Sequence, residues 1–194
     1  MKSFLELVEE KTTGQVSPTH GLFKAIFVTG CPGSGKDVII RESINEPNAV
    51  EVNLVQAFVF LADKKALSEQ SEDYRREAIR NRGPLIINGP ADDLSRITYV
   101  KEELEDLGYS TLMIFVNTSD DVSQQRNTRL SRMMNEDVRH DKWTTSQRNL
   151  SIFEKIFENI VEFDNSDSIQ ESTESLKSVY KLTQAFYEKK VLND

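Results

Sequence analysis

One stretch decides the fold of this chain: Thr29-Gly30-Cys31-Pro32-Gly33-Ser34-Gly35-Lys36-Asp37. It follows the apolar run 25–28 and precedes the apolar residues 38–40, so the order is strand, glycine-rich turn and helix start. Glycine permits the sharp turns that aim a row of backbone N–H groups at one point. The helix that follows directs its positive dipole end to the same place. The stretch therefore predicts a binding site for phosphate groups.

The spacing Gly30-x-x-x-x-Gly35-Lys36 matches the Walker A pattern GxxxxGK[ST] in every position but the last. Ser or Thr there normally gives a hydroxyl to Mg²⁺, and this chain has Asp37. Two roles are open for Asp37, because a carboxylate is a hard ligand for Mg²⁺ and Asp also favours the first turn of a helix. Lys36 is the predicted catalytic cation on the β and γ phosphates. The predicted ATP-binding residues are Gly30, Cys31, Pro32, Gly33, Ser34, Gly35, Lys36, Asp37 and Val38.

Composition limits the class of protein. The 194 residues suffice for one domain with a full core, and the charged fraction, 29 %, indicates a well-solvated surface. The formal charge of −8 argues against a broad nucleic-acid footprint, although not against a local basic groove. One cysteine, Cys31, cannot form an internal disulfide, which favours a reducing, cytoplasmic setting. No apolar run approaches the ~18 residues of a membrane span.

Strand-like and helix-like segments alternate from residue 21 to the end of the chain. Strands are expected at 23–29, 49–53, 85–88, 111–116 and 160–163, and helices at 38–43, 92–107, 119–134, 146–158 and 172–190. Residues 54–82 read as helical, with a longer strand as the alternative for 54–62. This alternation predicts a three-layer α/β/α domain at 21–194 with a mostly parallel sheet of about five strands.

Residues 1–20 read as a separate unit, a short amphipathic helix followed by a linker. The opening MKSFLELVEE is similar to the capsid-targeting starts of internal proteins in large tailed phages, a resemblance of about ten residues. It implies a phage-encoded protein of the host cytoplasm or virion interior. A helix that docks on an unknown partner and a frayed end are the other interpretations.

Three arginines at intervals of three, Arg126, Arg129 and Arg132, follow the fourth predicted strand. Residues three apart share one side of a helix. Guanidinium groups match phosphate oxygens two at a time, so these arginines suit a catalytic lid at about 119–145 that stabilises charge during phosphoryl transfer. The alternative is a solvated basic face paired with nearby aspartates.

The chain resembles the P-loop kinases that include the kinase domain of phage polynucleotide kinase and the zeta-toxin-like kinases. The resemblance rests on the GCPGSGK string, on the strand Pro84-Leu85-Ile86-Ile87 with the polar turn after it, on Arg126-Asn127 with a further Arg, and on Phe163-Asp164-Asn165-Ser166 before the last helix. It implies an ATP- and Mg²⁺-dependent phosphotransferase. The implied acceptor is a nucleotide, a polynucleotide end or another small molecule.

The chain departs from that family where a general base is expected. Family members place an acid after the second strand, and this chain has Asn53 there; after the third strand it has Asn88 instead of Asp. Asp92 and Asp93 lie near enough in sequence to take the proton, and a helix cap is the alternative role for each. The missing acids also leave open a nucleotide-binding protein without transfer activity, or an NTPase.

Overall fold

The computed structural model describes residues 23–53, 83–129, 133–166 and 169–189. Within them the strands are β1 (Lys24–Gly30), β2 (Val50–Asn53), β3 (Leu85–Pro90), β4 (Ser110–Asn117) and β5 (Ile160–Asp164). The helices are α1 (Lys36–Ser43), α2 (Leu94–Asp106), α3 (Asp120–Thr128), α4 (Glu136–Ile156) and α5 (Ile169–Glu188). The strands form one sheet in the order β2-β3-β1-β4-β5, and every pairing is parallel.

Strand β1 lies at the centre of the sheet and is buried along its whole length. On one face Phe27 belongs to a core cluster with Phe153 of α4. On the other face Val28 shares a cluster with Ile39 of α1 and Val179 of α5. An apolar strand of this kind needs cover on both faces, which only the middle layer of three provides. The predicted three-layer α/β/α fold with a parallel five-stranded sheet is confirmed.

All strands of the sheet end at the same edge, where an open α/β sheet binds its ligand. The loop between β1 and α1 lies there. Asn88 near the end of β3, Asn117 at the end of β4 and Asn165 just after β5 join it. The fold thus brings the glycine-rich loop after β1 to the same edge as three asparagine side chains at or just after the ends of β3, β4 and β5.

Two helices differ from the sequence prediction. Helix α3 ends at Thr128, although its pattern suggested a continuation to about residue 134. Helix α4, expected from residue 146, begins already at Glu136. The Asn135 side chain caps it by accepting hydrogen bonds from the backbone N–H groups of Asp137 and Val138. The polar composition of this first part concealed the helix, because one of its faces meets the polar edge of the sheet rather than the core.

The predicted unit at 1–20, the helical stretch 54–82 and Arg132 lie outside the described residues, so these remain predictions. None of the helices in the part of the chain that the structure describes combines the length and the hydropathy of a bilayer-crossing segment.

We expect Gly30→Ala to destabilise the protein by about 1–3 kcal/mol, the usual cost of overpacking. A Cβ atom at Gly30 would lie 2.1 Å from the backbone carbonyl oxygen of Val116, its pairing partner in β4. The two strands would have to separate. The measurement is the free energy of unfolding from urea denaturation.

Ser178→Ala, at an exposed position on α5, is the control and should change this free energy by less than about 0.5 kcal/mol. Equal stabilities for the Gly30 variant and the wild type would show that the contact between β1 and β4 is not tight.

Candidate functional site

In the loop between β1 and α1, side chains from other elements donate hydrogen bonds to carbonyl oxygens, whereas several backbone N–H groups have no acceptor among the described residues. Pro32 O accepts from the Ser123 hydroxyl at 2.7 Å, and Ser34 O accepts from the Asn165 amide at 2.7 Å. Within the described residues, no acceptor bonds the backbone N–H groups of Gly33, Gly35, Lys36 and Asp37. Free N–H groups at the start of a helix form an anion site.

Gly35 is the N-cap residue of α1 and has a φ of 89°. This left-handed conformation costs a residue with a Cβ atom about 1–2 kcal/mol, and only glycine adopts it freely. A Cβ atom here would also lie 2.6 Å from the Asn165 amide nitrogen. Gly35 is therefore required for two reasons. The turn needs its positive φ, and the Asn165 side chain leaves no room for a Cβ atom.

Lys36, the first residue of α1, folds back over the loop. Its ammonium donates to Gly30 O at 3.1 Å and to Cys31 O at 3.2 Å. Burial lowers the pKa of Lys36, with Asp37 and Asp92 among the groups that act in the opposite direction. A phosphate in the loop would offer this ammonium charged acceptors in place of two neutral carbonyls.

Arg126 is the arginine that the structure brings to the loop. Its guanidinium donates to Gly33 O at 3.1 Å and to Asn165 O at 2.8 Å. Burial and the nearby charge of Arg129 lower its pKa. Arg129 is the C-cap residue of α3 and is exposed, and Arg132 lies outside the described residues. Of the two arginines that the structure describes, Arg126 alone lies within α3, because the helix ends at Thr128.

A buried arginine, Arg139, ties α3 and α4 together behind the loop. It is 1 % exposed, and it forms ion pairs with Glu136 at 2.6 Å and Asp120 at 2.7 Å. It also donates to the Ser123 hydroxyl at 2.8 Å, and that hydroxyl in turn donates to Pro32 O. The position of the loop therefore depends on an ion-pair network between α3 and α4.

Two carboxylates share one amide at the end of the sheet. The Asn88 side-chain nitrogen donates to Asp37 at 3.1 Å and to Glu51 of β2 at 3.0 Å. Among the described residues, no three His, Cys, Asp or Glu side chains form a metal site of their own. Mg²⁺ is commonly held by one or two carboxylates together with substrate phosphates and water, so hard oxygen donors beside a phosphate loop fit this ion.

The two aspartates after β3 have different partners. Asp93 is the N-cap of α2 and accepts a hydrogen bond from Arg96 N at 3.2 Å. Asp92 does not cap the helix. One of its oxygens is paired with Lys142 of α4, and the other is buried with no partner in the described part of the chain.

Asp92 also lines a cavity of about 450 Å³ beside α4. The lining is acidic overall and consists of Asp92, Asp137, Val138, Asp141, Lys142 and Thr145. The Asp92 carboxylate interacts electrostatically with Lys36, so it connects the cavity with the phosphate loop. A small molecule in this cavity would meet a carboxylate on the side that faces the loop.

Cys31 is fully buried in the loop. Gln147 of α4 donates to its sulfur at 3.2 Å and to the Asn117 side chain at 2.6 Å. Burial raises the pKa of the Cys31 thiol. A buried thiol with a raised pKa is unreactive, so the structure favours the structural role for this residue over a redox role.

Sequence reasoning missed Glu51 and Arg139. Glu51 alternates with Val50 and Val52 in β2, which predicts a side chain on the opposite face, but the family resemblance points to an acid only after this strand. Arg139 lies three residues after Glu136, at helical pairing distance, but it falls between the helices that the sequence predicts at 119–134 and 146–158. Both signals are local and weak without the fold.

No protein-family model matches the sequence, and no curated protein shows significant similarity to it. Similar folds occur among solved structures. A chain of the PezAT toxin–antitoxin system of Streptococcus pneumoniae is 15 % identical, with a TM-score of 0.56, and the match covers 95 % of each chain. Shikimate kinase from Bacteroides thetaiotaomicron is 14 % identical, with a TM-score of 0.50, over 81 % of this chain and 97 % of that one.

A chain of the Pnkp1/Rnl/Hen1 RNA repair complex is 20 % identical, with a TM-score of 0.53, over 70 % of this chain and 47 % of the other. At such identities the likeness concerns the fold. The resemblance to P-loop kinases that the sequence suggested is thus confirmed as a shared fold.

Proposed function

We propose that this protein is a kinase that transfers the γ-phosphate of ATP to a hydroxyl group of a small acceptor. One observation carries the proposal: the loop 30–37 leaves backbone N–H groups free while side chains from α3 and from after β5 bond its carbonyl oxygens. Such a loop is already shaped for an anion before the anion arrives. The shared fold with P-loop kinases supports the same assignment.

Each charged residue of the site has a role in this proposal. Lys36 turns from the loop carbonyls to the β and γ phosphates, and Arg126 stabilises charge that develops on the transferred group. Asp37 and Glu51 are the residues that would hold Mg²⁺, and the ion would neutralise phosphate oxygens. Positioning and charge supply most of the catalysis in phosphoryl transfer.

Asp92 is the proposed general base, and the cavity beside it is the proposed acceptor site. The ion pair with Lys142 orients the carboxylate, and its second oxygen, which is buried and has no partner among the described residues, would take the hydroxyl proton after the carboxylate turns toward the cavity. Three aspartates against one lysine in the lining disfavour an acceptor group that carries its own phosphate. An uncharged hydroxyl compound, such as a nucleoside or a sugar, therefore fits better than a nucleoside monophosphate.

The test is an ATP-turnover screen with nucleosides, nucleoside monophosphates, 5′-hydroxyl oligonucleotides and sugars as acceptors. A phosphorylated product supports the kinase, and preference for an uncharged acceptor supports the assignment of the cavity. ATP binding without turnover would instead identify a binding protein. Hydrolysis that is independent of every acceptor would identify an NTPase.

Lys36→Ala should weaken ATP binding at least tenfold, because it removes a charge-assisted hydrogen bond worth about 1.5–3 kcal/mol. The measurement is the dissociation constant from calorimetry. Lys177→Ala, an exposed lysine of α5, is the matched control and should leave the affinity unchanged. An unaltered affinity in the Lys36 variant, with the fold intact by circular dichroism, would rule out this loop as the ATP site.

Arg126→Ala should lower kcat by about 100-fold or more, because Arg126 stabilises charge in the transition state. It should weaken ATP binding by a smaller factor, because Gly33 O loses its donor while Ser123 and Asn165 still bond Pro32 O and Ser34 O. Single-turnover kinetics and calorimetry give the two quantities. Arg148→Ala removes an exposed arginine of α4 and serves as the control. A rate equal to that of the wild type would show that Arg126 serves only to support the loop, through its hydrogen bonds to the carbonyl oxygens.

Asp92→Asn should lower kcat by about 10²–10⁴, the range of a general base, and should keep ATP affinity. Asp93→Asn is the neighbouring control: Asn caps a helix as well as Asp, so both rate and stability should remain near the wild-type values. If the Asp92 variant keeps its rate, the carboxylate serves only to pair with Lys142.

A further inference from the structure

A second cavity, of about 490 Å³, lies at the amino-terminal edge of the sheet, opposite the phosphate loop. It opens beside the first residues of β1 and β4, Lys24 and Ser110, which pair across the sheet. Since β1 has seven residues, roughly 20 Å of strand separates Lys24 from Gly30. Its volume is in the range of small-molecule sites.

Lys24 is buried against this cavity without a hydrogen-bond acceptor. The residue is 2 % exposed, and within the described residues its recorded contact is with the Phe186 ring, whose centroid lies 4.9 Å from Nζ. The Nζ atom is not among the fully buried side-chain atoms that lack a partner, so the ammonium reaches the cavity, where the cation–π contact contributes up to about 2 kcal/mol. A mostly buried cation is normally paired, and none of the carboxylates that the structure describes forms an ion pair with Lys24.

One carboxylate of the cavity lining, that of Glu105, already has two partners. Glu105 forms an ion pair with Lys101, and its other oxygen accepts a hydrogen bond from the Thr111 hydroxyl. This group therefore cannot serve as the counter-ion of Lys24 without losing both partners.

Lys24 and Lys189 give one part of the cavity lining a positive charge. Lys189 at the end of α5 also lines it, and burial together with the charge of Lys189 lowers the pKa of Lys24. Glu158 is exposed at the wall, and no ion pair joins it to a lysine among the described residues. Two ammonium groups that form no ion pair with any described residue thus line the same cavity, together with the apolar side chains of Phe186 and Ile156.

We propose that this cavity binds a small oxyanion, a carboxylate or a phosphate, between Lys24 and Lys189. The anion supplies the missing partner of the buried ammonium and relieves the repulsion between the two lysines. Phe186 and Ile156 contact the carbon part of the ligand. Because the cavity and the phosphate loop lie at opposite edges of the sheet, this site does not depend on the proposed kinase activity.

The test is a titration of ¹⁵N-labelled protein with inorganic phosphate and, separately, with succinate. The amide shifts of Ala25, Ser110 and Thr111 report on the cavity. We expect them to move and saturate in the wild type and in Lys36→Ala, in which the phosphate loop no longer competes for the anion. In Lys24→Met, which keeps the apolar stem, the dissociation constant should rise about tenfold or more.

Lys189→Gln, at an exposed position, provides the second variant should Lys24→Met fail to fold, and it should weaken binding severalfold; Lys177→Gln is its control. Saturation by phosphate alone assigns a phosphorylated ligand, and saturation by succinate assigns a carboxylate. Absence of saturable shifts with both anions overturns the proposal, as do equal affinities in the wild type and both cavity variants.

Discussion

The structure depends on how the loop 30–37 disposes of its backbone polar groups. A buried backbone carbonyl needs a donor, and here the donors come from parts of the chain that are far apart in sequence, Ser123 and Arg126 of α3 and Asn165 after β5. Because these side chains bond the carbonyl oxygens of the loop, its unbonded N–H groups remain available to a ligand. The loop is therefore held open by the protein, and a ligand need not reshape it.

The same arrangement explains why buried charge lies where α3 meets α4. Arg139 is almost completely enclosed, yet it contacts two carboxylates and the hydroxyl that holds Pro32. A buried ion pair contributes little net stability, but breaking it leaves an unpaired charge at high cost. Such a network fixes α3 and α4 in one position relative to the loop.

The sequence was sufficient for the fold because its signals are local. The apolar run before Gly30, the glycine spacing and the alternation of strands with helices each follow from short-range chemistry, and together they permit few topologies. The site was only partly predictable. Which of Asp92 and Asp93 caps α2 depends on the backbone angle after β3, and the pairing of Asn88 with Asp37 and Glu51 joins three distant segments. Contacts of that kind leave no periodic pattern in the chain.

The burial of Cys31 has a practical consequence. This chain contains a single thiol, and its sulfur lies behind Gln147 in the wall of the loop. A maleimide can label it only when α4 moves away from the end of β1, so the labelling rate measures the opening of this region without any engineered reporter. Any occupant of the loop that slows the opening will protect the sulfur, and ligands can thus be found without knowledge of the reaction.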